Sequence, residues 1–198
     1  MNTENAEPKA SPKPDRRVRK TRALLLQGLV QLMKEKDIKD ISVKELSDLV
    51  DINRGTFYLH YNDIYDMVSK IEEELFVEFN NILNRDISED TLPDFPHAIL
   101  VDIFTFLERH KELAQVMLGP HGDLTFVNHL KHLVKEQLMQ LLDPRSSETY
   151  EYSYAFITSG CIGVIQIWLA SPTPHTPEYM ANLCSRILTN GVWSGETD

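Results

Sequence analysis

Hydrophobic positions recur at three- and four-residue spacing along almost the whole chain, and strand-like alternation is rare. The first such pattern predicts a helix over residues 16–35, with Val18, Leu25, Leu26, Leu29, Val30 and Met33 on one stripe. Residues 36–40 break it. Ser42-Val43-Lys44-Glu45 then reads as a capping box: the Ser42 hydroxyl accepts from the Glu45 amide while the Glu45 carboxylate reaches back. A short helix follows, with Val43, Leu46, Leu49 and Val50 inward. Asp51-Ile52-Asn53 predicts a tight turn, and residues 54–61 a second short helix. Asn62-Asp63 caps a long helix that runs from Ile64 through Tyr65, Val68, Ile71, Leu75, Phe76, Phe79 and Leu83. Beyond a loop at 86–93, helices are predicted over 96–110, 111–118, 123–142, 148–170 and 177–192. Gly119-Pro120, Asp143-Pro144 and the connector Ser171-Pro172-Thr173-Pro174 divide them. The chain reads as all-α with about nine helices and no internal repeat.

The stretch 42–61 is the informative one. A helix of about eight residues, a short turn and a second helix of about eight residues is the geometry of a DNA-reading helix-turn-helix. Leu46 and Leu49 hold the supporting helix on the core, and Ile52 and Phe57 anchor the reading helix from below. Asp51 stands where the turn needs positive φ, which Asp tolerates better than most residues. Asn53 is an N-cap, and the amides of that helix start can face a phosphate. Arg54 suits a bidentate contact with guanine, or a phosphate. Gly55 removes a side chain where backbone and DNA approach. Thr56 can meet a thymine methyl or a phosphate, and Tyr58 and His60 reach phosphate oxygens. Ser42 and Val43, at the start of the supporting helix, join this candidate DNA-binding set, whereas Tyr61 is assigned to the core.

Charge sharpens this. The net charge is −10, but it is unevenly placed. Residues 1–62 carry 12 Lys+Arg against 9 Asp+Glu, and residues 63–198 carry 8 against 21. Arg16, Arg17, Arg19, Lys20 and Arg22 crowd one end of the first helix. A basic end on an acidic body binds a polyanion in one orientation, because the body is repelled. Arg16, Arg17, Arg19 and Lys20 therefore complete the DNA-binding candidates.

Other chemistry is sparse. There is no Gly-rich phosphate loop after a strand, no nucleophile elbow, and no CxxC or HExxH, so an enzyme is not expected. His129 and His132 share a helix face with Glu136, a spacing that can hold a metal, but without a further ligand nearby they are assigned to the surface. No metal or cofactor is expected. Cys161 and Cys184 lie in apolar patterns and are expected to be buried, reduced thiols. No apolar run reaches membrane-spanning length, the longest being 155–170. Residues 1–15 look like a disordered arm rather than a signal peptide, and a cytoplasmic location is the default.

The string Arg54-Gly55-Thr56-Phe57-Tyr58-x-His60-Tyr61-x-Asp63-x-x-Asp66-x-Val68 resembles the start of the TetR/AcrR family of transcriptional regulators, over about residues 16–70. Ser159-Gly160-Cys161-Ile162-Gly163-Val164-Ile165-x-x-Trp168-Leu169 resembles the branch common in Gram-positive bacteria. The resemblance implies a nine-helix homodimer on a pseudo-palindromic operator, with repression relieved by a small effector. It places Tyr58 and His60 on phosphates, and Thr56 with Arg54 near bases. Two positions depart from the pattern. Asp51 replaces the usual turn glycine, and Ile64 replaces a lysine that binds phosphate at the start of the fourth helix.

The expected organisation is thus an arm at 1–15, a three-helix DNA-binding domain at 16–62, and a helical-bundle ligand and dimerisation domain at 63–198. Two reading helices must stand about 34 Å apart to enter successive major grooves, which implies a dimer. Ile157, Gly160, Gly163, Val164 and Ile167 are the candidate dimer surface; a tight crossing inside one subunit is the alternative for the glycines. Phe104, Leu107, Met117, Leu138, Phe156 and Trp168 are candidate lining for an effector pocket, although such residues at helical spacing also serve as plain core. A co-activator or DNA-associated adaptor working through protein partners is the rival to a ligand-released repressor.

Overall fold

The stripe predicted over residues 16–35 folds as α1, Arg16–Met33, burying Leu25, Gly28, Leu29, Val30, Leu32 and Met33. This is a computed structural model; it describes residues 16–84, 95–141, 150–172 and 174–190, with side chains at 16–84, 97–136, 151–172 and 174–190. The arm at 1–15, the loop at 86–93, Asp143-Pro144 and the Leu138 side chain lie outside these residues.

A short 3-10 turn, Ile38–Asp40, leads into α2, Val43–Leu49, and α3, Arg54–Tyr58. Gly28 lets α2 lie close on α1, since a Cβ there would meet Val50 Cγ1 at 2.4 Å and Leu46 Cδ1 at 2.8 Å. Next comes α4, Ile64–Leu83. Its start is doubly capped: Asp63 Oδ1 accepts from the Asp66 amide at 2.8 Å, and the Asp66 carboxylate accepts from the Asn62 amide at 2.8 Å. Ile64, Met67, Val68, Ile71, Leu75, Phe79 and Leu83 form its buried stripe.

The remaining helices are α5 (Phe95–Arg109), α6 (Lys111–Met117), α7 (Leu124–Leu141), α8 (Tyr150–Ala170) and α9 (Pro177–Asn190). Among the described residues there are nine α-helices and no strand, as the periodicity predicts. One hydrophobic cluster runs from Leu25 on α1 through α4 to Trp168 and Cys184. α5 lies along α9, and α4 packs on α5 and α7. α6 is laced to α8 by two buried-side bonds: Gln115 Nε2 donates to the Leu169 carbonyl at 2.5 Å, and Gln166 Nε2 to the Leu118 carbonyl at 2.7 Å. Phe104 meets Trp168 edge-on at 5.2 Å, and the Trp168 indole donates to the His175 carbonyl at 2.7 Å, pinning the connector.

Several expectations change. Leu49 is 42% exposed and Tyr65 61% exposed, so neither belongs to the inward stripes. Each falls at the edge of its helix's apolar arc, where spacing does not separate core from rim. The Glu45 carboxylate does not complete the capping box, because Lys36 Nζ holds it at 2.5 Å; only the Ser42 half forms, at 3.2 Å. Cys184 is buried, but Cys161 is only half-buried, and burial raises both thiols above their ordinary pKa, with Cys184 pushed up to about 11. Residues 151–170 of α8 are long and apolar enough to cross a membrane by length and composition, a longer stretch than the 155–170 run read from the sequence.

Candidate nucleic-acid interface

The reading helix is built from its anchor outward. Phe57 is fully buried, edge-on to Tyr58 at 5.6 Å and tilted to Tyr61 at 5.7 Å. Asn53 caps the helix, its Oδ1 accepting from the Gly55 amide at 2.7 Å. Asp51 holds φ at 52°, the left-handed conformation the turn requires. The Ile52 amide closes the turn on the Ser47 carbonyl at 3.0 Å. Regular helix ends at Tyr58, three residues before the predicted end. There the Phe57 carbonyl accepts from both the His60 and Tyr61 amides, a tightened last turn.

This scaffold turns one face outward. Asn53, Arg54, Gly55 and Tyr58 are exposed, and Thr56 and His60 half-exposed. Nothing but the Asn53 carboxamide, at 3.1 Å, stands near a Cβ added to Gly55. Leu59, which the pattern did not single out, is 82% exposed and is the apolar residue of this face. Ser42 is exposed at the α2 start, whereas Val43 is half-buried against the core. Arg16, Arg17, Arg19 and Lys20 are exposed on the first turns of α1.

Arg22, counted with these basic residues, has a different task. Its guanidinium donates to the Tyr61 hydroxyl at 3.2 Å and pairs with Glu74 on α4. The Glu74 bond, then that of Tyr61, raise its already high pKa further. Tyr61 is buried, with Lys70 5.5 Å from its ring centroid, and Lys70 also donates to the His60 carbonyl at 3.3 Å and to Asp66 at 2.9 Å. The Asn62 amide, followed by Lys70, holds the Asp66 carboxyl below its usual range. The reading helix is therefore tied at its end to α4. No sequence signal marks the Arg22–Glu74 pair, whose partners stand 52 positions apart. Ile64 is buried in the core, so it makes no surface contact where the family pattern has lysine.

A family model described as "Transcriptional regulator C-terminal region", of the TetR type, matches residues 94–190. A TetR transcriptional regulator from Streptococcus agalactiae 2603V has the same fold, with a TM-score of 0.59 and 20% identity over 87% of this chain and 96% of that one. This chain belongs to the TetR family of transcriptional regulators. The chain is also similar in sequence to YxbF of Bacillus subtilis (strain 168), an uncharacterized HTH-type transcriptional regulator. It is 23% identical over 163 residues, 79% of this chain. The transcription antitermination protein NusB of Methylobacillus flagellatus is 36% identical over 93 residues, 46% of this chain. The chain spans 41% and 58% of the lengths of these two curated relatives.

In the TetR body, the candidate pocket residues separate. Phe104, Leu107, Met117 and Trp168 are packed as core. Phe156 is 77% exposed and lines no interior space, because α8 turns that face away from the body. It belongs instead to an outward stripe with Tyr152, Gly160, Gly163 and Ile167, the last 76% exposed. A Cβ at Gly160 or Gly163 would meet nothing within 4 Å, so these glycines do not serve a tight crossing inside the subunit. Ile157 is half-buried, and Val164 packs on the core at the stripe's edge. Among the described residues no group of His, Cys, Asp and Glu could hold a metal. His132 lies 3.6 Å from Glu136, and His129 faces the Phe76 ring at 4.0 Å.

Proposed function

We propose that this TetR-family regulator works in the cytoplasm as a homodimer on a pseudo-palindromic operator, represses, and is released by a small effector. One observation carries the DNA assignment. α3 is anchored from below by the buried Phe57, while Arg54, Gly55, Tyr58 and Leu59 stand exposed on its outer side. A short helix with an exposed glycine, an exposed leucine and polar-tipped aromatics has little reason to exist for stability alone. Against a major groove each has a use. Arg54 reads guanine, Leu59 and Thr56 meet thymine methyls, and Tyr58, His60, Asn53, Ser42 and Val43 border the phosphates with Arg16, Arg17, Arg19 and Lys20. The outward α8 stripe supports dimerisation, since an apolar face of this size asks for a cover.

A second reading, an activator or adaptor acting through protein partners, is favoured by the close packing of Phe104, Leu107, Met117 and Trp168 where an effector would sit. Selection of bound duplexes from a random pool, repeated with candidate metabolites, separates the two. Release of DNA by a small molecule supports the repressor, and stable DNA binding with capture of a specific protein supports the adaptor. Within the first reading, Tyr58→Phe lowers affinity for all duplexes alike, and Arg54→Ala relaxes preference at particular base pairs. A chain that ignores every duplex at low salt overturns the proposal.

A further inference from the structure

α4 runs from the reading head into the body, and a single helix used as a hinge leaves rotation about its own axis open. A second contact away from that axis closes it. The structure has one. His121, in the turn between α6 and α7, bonds through Nδ1 to Asp37 Oδ1 at 2.8 Å, joining the body to the loop between α1 and α2. α6 also packs on α1 there.

Both ends of this tie are fixed. In the head, Asp37 is also held by Lys39 at 3.1 Å, and the His121 bond, then Lys39, keep its carboxyl below the usual range. In the body, the turn is tight. The Gly122 amide donates to the Gly119 carbonyl at 3.1 Å, and a Cβ on Gly122 would fall 2.0 Å from the Met117 carbonyl oxygen. Behind the turn, α6 is laced to the end of α8 by the Gln115 and Gln166 bonds. α8 carries the outward stripe. Hydrogen bonds thus join the end of α8 to α6, and the turn that follows α6 to the head.

We infer that His121 is a positioning residue for operator recognition: by holding Asp37 it fixes the angle of the head on the body, and so sets which half-site spacing the dimer accepts. The inference rests on the dimeric DNA-binding reading above. Stability is not its purpose, because both side chains are partly in solvent, where an ion pair contributes little.

The test uses the full chain and its selected duplex, with copies in which the two half-sites are moved apart or together by single base pairs. Binding is read by fluorescence anisotropy. The wild-type protein binds the native spacing best. His121→Ala narrows the gap between native and altered spacings by about fivefold or more, the lower end of coupling between separate sites, with the melting temperature little changed. The exchanged pair Asp37→His with His121→Asp restores the gap, and Asp37→Asn alone, which keeps an acceptor oxygen for His121, retains part of it. A His121→Ala protein that discriminates spacings as the wild type does overturns this inference alone. A wild-type chain that binds no duplex overturns the reading beneath it as well.

Discussion

Replacing a glycine inside a helix with alanine ordinarily stabilises it, by about 1 kcal/mol. Gly28→Ala in α1 is expected to do the reverse. The added methyl would stand 2.4 Å from Val50 Cγ1 and 2.8 Å from Leu46 Cδ1. To reach ordinary contact, Val50 must retreat by about 1 Å, and a β-branched side chain has few rotamers into which to move. Leu46 is fully buried and has nowhere to go. Overpacking of this kind costs about 1–3 kcal/mol, and with two stiff neighbours the upper end applies. Subtracting the helix gain leaves a net loss of roughly 1–2 kcal/mol, a fall of about 3–6 °C in melting temperature for a chain of this size. Thermal unfolding followed by circular dichroism reads it directly. Because Val50 precedes the Asp51 turn, the same displacement tilts α3, and DNA affinity falls with stability. Val50→Ala on the Gly28→Ala background makes room, so the double variant is more stable than the two single losses predict. A rise in melting temperature for Gly28→Ala alone, or strict additivity in the pair, refutes the packing argument.

Three further outcomes are expected. Asp51→Gly relieves the left-handed strain at φ 52° and, after the entropic cost of glycine, stabilises by roughly 0.5 kcal/mol; a lower melting temperature contradicts this. Glu72, half-buried with Oε1 lacking a hydrogen-bond partner, has its pKa raised to about 7, first by desolvation and then by Asp123. Its ionised form is the disfavoured one in the folded protein, so wild-type stability falls as pH rises from about 4.5 to about 7. Glu72→Gln removes that loss: after allowance for solvent screening it gains about 1 kcal/mol at pH 8 and nothing near pH 4. An equal effect at both pH values sinks the assignment. Phe156→Glu places a charge on the outward α8 stripe, and light scattering should then report a monomer; an intact dimer moves the interface elsewhere.

Much of the fold is legible locally. The nine α-helices among the described residues follow from three-to-four-residue periodicity, and their ends from Asp, Ser, Asn, Gly and Pro at the breaks. The positive φ at Asp51 and the Asn53 cap were readable because both are set by residues within one turn of themselves. What could not be read involves competition or distance. Glu45 faces a choice between its own helix start and Lys36, and the charge-assisted pair wins. Arg22 looks like one more cation of a basic face until Glu74 is brought to it, and His121 meets Asp37 across 84 positions. α8 is the hardest case. It is apolar on nearly every side, so periodicity does not say which side faces the body, and Phe156, a candidate pocket residue by sequence, stands outside.

The same ambiguity bears on how an effector would act. Phe104, Leu107, Met117 and Trp168 each retain 7% or less of their exposure, and Phe104 and Trp168 are in ring contact. A molecule entering between α5, α6 and α8 has to part side chains whose burial stabilises the fold by about 1.5–3 kcal/mol apiece. It must return that loss through its own contacts. A polar ligand cannot, since the wall offers few hydrogen-bonding groups and desolvating the ligand adds a further cost. An apolar molecule of similar volume can, by re-forming the dispersion contacts it interrupts. Such a molecule would move α6 first, because α6 lies over this cluster, and α6 carries the turn whose His121 holds the head. A ligand screen read by melting temperature should therefore begin with apolar compounds, and a hit should raise the melting temperature in proportion to the logarithm of its excess over Kd.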